Sequence, residues 1–146
     1  MRTGSRFSDD DLARAWAKRF SSERTRVLIP GAADAQLKAA QQIDAETVWA
    51  FDSLDDLVTK DPAHAWAIVL QILDLAEKDE DVLSNLAAGP LESLLVRHGR
   101  TAIKWIEDEA RRSPKFKDLL AGVWQSGVNE LIWQRVQRAL ERDETD

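Results

Sequence analysis

Apolar residues recur three and four positions apart along nearly the whole chain, with few β-branched runs and no strict alternation. That period lines one side of a helix, whereas a strand needs a period of two. An all-α fold follows. The prolines punctuate it: Pro30 precedes Gly31, Pro62 follows Asp61, Pro90 follows Gly89 and Pro114 follows Ser113. Asp and Ser are effective N-caps, and Pro at the first helical position loses no hydrogen bond. The expected architecture is a single-domain helical bundle or stacked αα-hairpins, with about seven or eight helices.

Residues 1–31 read as an N-terminal helix and linker, and 32–146 as the helical core of one domain. Ser8 caps the first helix with Asp11 three residues on, and Leu12, Trp16 and Phe20 share its face over about 8–21. The stretch "SSERTRVLIPG", residues 21–31, reads as a linker. Ala33, Leu37, Ala40, Thr47, Leu54 and Val58 then hold one stripe. It allows one long helix to about Lys60 or two helices broken near Ile43, and the break is preferred. Asp61 and Pro62 start a helix over 62–76 that is apolar around most of its circumference, leaving a strip of His64, Gln71 and Asp74. Such a helix belongs in the centre.

A short helix then ends at Gly89 in the left-handed conformation, and Pro90 opens the next. Glu92 falls third in that helix, where its carboxylate reaches back as a cap, and His98 sits in the last turn with Gly99 closing it. Ser113 and Pro114 repeat the start signal before Phe116, Leu119, Leu120 and Val123. A last helix over about 129–141 gathers Ile132, Trp133, Val136 and Leu140. The flanks of the two Pro units align poorly, Trp66 falling opposite Asp118, so a solenoid repeat is not built on them.

A chain of 146 residues is long enough to bury a core without staples. It has no cysteine, which excludes disulfides and thiolate zinc sites and suits a reducing, cytoplasmic setting. No apolar run approaches a membrane span, and "MRTGSRFSDDD" lacks the apolar centre of a signal peptide. The net charge is −6. Residues 1–30 hold seven Lys/Arg against four Asp/Glu, and the rest 13 against 22, so the acidity belongs to the body of the chain. That sign argues against nucleic acid and for a basic protein partner, or else serves solubility alone.

Catalytic motifs are missing: no nucleophile elbow, phosphate-binding loop or dinucleotide fingerprint occurs, and there are no strands to carry one. Two histidines without cysteine form no metal-ligand spacing, so neither metal nor cofactor is expected. Glu92 and His98 lie six residues apart, about 240° around a helix, and do not face each other. His98 reads first as a packed, capping histidine.

The six tryptophans say more. Trp66, Trp124 and Trp133 fall on apolar faces and read as core. Trp49 projects away from the apolar face of its helix, beside Asp52, Ser53 and Asp56. Trp105 repeats the theme beside Asp108 and Glu109. A tryptophan ringed by carboxylates has the composition of a hot spot for a basic partner, and truncating Trp49 is expected to leave folding nearly unchanged. The bland alternative is that helices after residue 77 cover it.

The segments "WAFDSLDDLVTKDPAHAWAIVLQIL", "LAAGPLESLLVRHG" and "IEDEARRSPKFKDLLAGVWQSGVNELIWQRV" resemble a family of small bacterial all-helical domains without assigned function. Its motifs D-P-x-x-A-W, L-A-A-G-P-L-E-x-L-L-x-x-H-G and G-V-W recur in this order over about residues 10–138. The resemblance implies an all-helical fold and no activity. Its motif positions here are Trp49, Asp61, Pro62, Trp66, Gly89, Pro90, Glu92, His98, Gly99, Glu107, Phe116 and Trp124. A core alone does not demand Glu92, His98 or Glu107.

Two functions are therefore expected to compete. One is a non-enzymatic interaction module that masks a basic protein, in the manner of immunity proteins, antitoxins or anti-activators, through Trp49, Asp52, Asp56 and Trp105. The other is an enzyme or small-ligand binder in which Glu92, His98 and Glu107 converge around a pocket.

Overall fold

The computed structural model describes residues 7–22 and 33–141. Among them are seven α-helices and no strand: α1 (Asp9–Arg19), α2 (Asp34–Lys60), α3 (Pro62–Leu75), α4 (Glu80–Leu86), α5 (Glu92–Arg112), α6 (Pro114–Leu120) and α7 (Glu130–Glu141). A π-helical turn, Ala87–Leu91, joins α4 to α5 without a break, so the path consists of six rods. Most of the 21–31 linker lies outside the described residues.

The start signals act as their chemistry requires. Ser8 and Asp11 form a reciprocal capping box on α1. Asp61 accepts from the His64 N–H ahead of Pro62, and Ser113 from the Phe116 N–H ahead of Pro114. Helix α2 does not break near Ile43. No Gly or Pro interrupts it, and the hydroxyl of buried Thr47 donates to the Ile43 carbonyl at 2.6 Å, inside the helix. Arg19 closes over this region, donating to the Asp44 carbonyl at 3.1 Å. Ala40, Thr47, Ala50, Leu54 and Val58 are buried, but Leu37, placed on the same stripe by its spacing, is exposed.

The expected corner at Gly89–Pro90 is absent. Gly89 is not left-handed, and Leu91, the residue before α5, has helical φ −66° and ψ −46°. Proline inside an α-helix lacks a donor and crowds the carbonyl four residues back; a wider turn relieves the crowding. Here the Glu92 N–H reaches the Ala87 carbonyl, five residues back. Packing favours continuity, because Leu86, Ala87, Leu91, Leu94 and Leu95 all reach the core. The backbone instead departs from helix at His98, with φ −133° and ψ 34°, and resumes to Arg112. Beside that kink α7 crosses α5 closely: a Cβ on Gly99 would lie 3.1 Å from Ile132 Cγ1. Any larger residue at that position would require Ile132 to give by a few tenths of an ångström.

Helix α1 packs on α2 and α3, α2 on α3, and α5 on α6 and α7. Helix α3 reaches both the π turn and α5, and its Ile68, Val69 and Ile72 are fully enclosed, in accord with its nearly all-round apolar sequence. Trp16, Leu54, Leu91, Ile103, Phe116 and Leu120 complete one continuous core. Half-buried Trp66 meets Phe116 edge-on at 5.3 Å and Trp105 at 6.1 Å between ring centres. Trp124 is not core. Helix α6 ends at Leu120, so Trp124 falls in the turn beyond it and is 74% exposed.

Candidate functional site

Helix α2 carries the first candidate surface on its outward side. Trp49 is half-buried: it packs against the core, and Phe7 stacks on it from the N-terminal side with ring centres 4.0 Å apart and planes 19° from parallel. One turn around the helix, Val48 and Phe51 are 42% and 41% exposed. Between and beside them stand Asp52 and Asp55, exposed carboxylates without a side-chain partner among the described residues, while Asp56 is paired to Lys60 at 3.1 Å. Residues 48, 51, 52 and 55 fall on one helical face, so apolar and acidic groups alternate across a single patch.

Trp105 does not extend this patch. It is half-buried against Trp66, and the neighbouring Asp108 accepts from Lys104 and Arg111 while Glu109 accepts from Arg112. The bond from Lys104 and the nearby cations hold the Asp108 carboxyl below its usual range.

Glu92, His98 and Glu107 do not converge. Glu92 has no N-cap to serve, since the chain ahead of it is helical, and its carboxylate has no partner among the described residues. Glu107 is committed to Arg135, which donates to its two oxygens at 2.8 and 2.6 Å. That bond, with the attraction of Lys104 and Arg111, outweighs partial burial and holds the Glu107 carboxyl below its usual range. His98 Nε2 is buried and makes no hydrogen bond among the described residues. No group of three His, Asp or Glu among those residues could hold a metal ion.

Of the three, only His98 lines an open groove, of about 720 Å³, between α5 and α7. The groove carries Arg97, Arg100, Arg135 and Arg138 and no carboxylate, along with exposed Val96 and Leu131. Sequence reasoning missed it. Each half is readable, since Arg97 and Arg100 lie three apart and Leu131, Arg135 and Arg138 lie at helical spacing on polar faces. That the two helices cross at Gly99 is not a property of either segment.

No helix among the described residues is long and apolar enough to cross a membrane. The model of a protein family of unknown function matches residues 37–144, about three quarters of the chain. No curated protein and no solved structure matches it.

Proposed function

The chain belongs to the DUF6869 family, and we propose that it is a non-enzymatic protein-interaction module that docks a basic protein on the outward face of α2. Masking of the immunity, antitoxin or anti-activator kind is the mode of action that this reading supplies. One observation carries it: Asp52 and Asp55, without partners among the described residues, alternate with exposed Val48 and Phe51 beside the Phe7–Trp49 stack. Unpaired carboxylates steer a cationic surface into contact, and the apolar and aromatic groups supply the area that holds it once water is excluded. The stack fixes both rings before binding, which lowers the ordering cost. A chain without cysteine has no need of an oxidising compartment, and we infer a cytoplasmic setting.

The test is capture from the native host at low salt with the unaltered chain and with Asp52→Lys/Asp55→Lys, followed by affinity measurement on the purified partner. A basic protein retained by the first and lost by the second, with both chains equally folded, supports the reading. Equal retention, or a partner without a basic surface, overturns it.

A further inference from the structure

The groove at the His98 kink is cationic in a chain of net charge −6. Eight arginines fall among the described residues. Six of them, Arg14, Arg19, Arg97, Arg111, Arg112 and Arg135, donate to a side chain or carbonyl. The other two, Arg100 and Arg138, have no hydrogen bond or ion pair among those residues, and both line this groove. Among the described residues the other guanidiniums are satisfied, and these two line the same space, with no carboxylate on its walls.

The groove is also apolar. Leu131 is 70% exposed and Val96 44%, and the close contact of Gly99 with Ile132 brings the two helices together beneath them. From Asn129, just ahead of α7, to Arg138 within it the wall runs about 14 Å at the rise of a helix. That length and the volume of about 720 Å³ exceed what one phosphate or carboxylate fills and match about two and a half turns of a docked helix.

We propose that the groove between α5 and α7 binds an acidic amphipathic helix of a partner protein, its carboxylates on Arg100 and Arg138 and its apolar side chains against Val96 and Leu131. Guanidinium groups suit this role because each can meet a carboxylate with two parallel hydrogen bonds. The groove is a different surface from the α2 patch and opposite to it in sign, so this inference stands or falls separately from the function proposed above.

The experiment titrates the full chain with a fluorescein-labelled helical peptide of about 14 residues, leucines along one face and glutamates on the other. Fluorescence anisotropy reads binding, with the lysine counterpart of the peptide and inorganic phosphate as controls. The glutamate peptide is expected to saturate the chain, the lysine peptide not to bind. Arg100→Glu/Arg138→Glu and Leu131→Ser are each expected to weaken binding roughly tenfold, with circular dichroism unchanged. Should the charge-reversed pair misfold, Arg100→Gln/Arg138→Gln replaces it with the same expectation. Absence of binding at millimolar peptide, or affinity unchanged by the variants, overturns the proposal. So does displacement by phosphate with Leu131→Ser silent, which identifies a site for a bare anion.

Discussion

Arg135 on α7 grips Glu107 on α5 with two hydrogen bonds, 2.8 and 2.6 Å, across 28 positions of sequence. The pair ties α7 to α5 and gives acid sensitivity a definite origin. Glu107 titrates lower when folded, so its contribution is present above the ordinary carboxylate range and fades as pH falls through the folded value. Glu107→Gln should lower stability by about 1 kcal/mol at neutral pH, a figure kept small because both side chains remain partly exposed. Urea midpoints at neutral pH and at about pH 3 check this: the gap between variant and parent should narrow in acid.

Two glycines in the same rod should respond differently. Gly89 is not left-handed and a Cβ there meets nothing within 4 Å beyond its chain neighbours, but the Pro90 ring disfavours a helical residue with a Cβ before it and offsets the gain in helix propensity, so Gly89→Ala should change stability by less than about 0.5 kcal/mol. Gly99→Ala places a Cβ 3.1 Å from Ile132 Cγ1, and should cost about 1 kcal/mol or more. Thermal melts of both variants decide it. A loss well above about 1 kcal/mol for Gly89→Ala would restore the left-handed helix end at that position.

Asp79 ties the start of α4 to the chain beyond α1. Its carboxylate accepts from the Ser22 hydroxyl at 2.7 Å, the Ser22 N–H at 3.1 Å, and the N–H groups of Asp81 and Val82. Burial pushes the Asp79 carboxyl up, and these donors more than reverse it. Asp79→Ala should cost about 1–2 kcal/mol, more than a lone cap of this kind at the surface, and Ser22→Ala a smaller part of that. Hydrogen exchange should quicken in both α4 and α1 for Asp79→Ala.

Trp49 and Trp124 separate stacking from exposure. Spacing alone makes truncation of Trp49 nearly neutral; the Phe7 ring against it raises the expected cost of Trp49→Ala to about 1–2 kcal/mol. Trp124→Ala, at a side chain 74% exposed, should change stability by less than about 0.5 kcal/mol. Chemical denaturation of the two variants gives the comparison.

Much of the fold is legible because its signals are local. A hydroxyl or carboxylate three residues from an N–H either caps or does not, and Ser8, Asp61 and Ser113 each act within one turn. The apolar stripe of α3 needs no partner to be recognised as central. The candidate surfaces are less legible. Trp49 and Asp52 are placed by spacing alone, whereas the Phe7 cover depends on a contact 42 positions away.

Where local signals conflict with packing, packing prevails. Gly89–Pro90 reads as a helix end, yet the burial of Leu86, Ala87 and Leu91 carries the helix through as a π turn, because one widened turn costs less than turning that stripe away from the core. By itself the sequence determined the all-helical class, the helix starts at Ser8, Asp61 and Ser113, and the central helix, since periodicity and capping act over a few residues. The tertiary structure alone decided the kink at His98, the pairing of Glu107 with Arg135, and the meeting of Arg100 with Arg138 in one groove, since each depends on how distant helices cross.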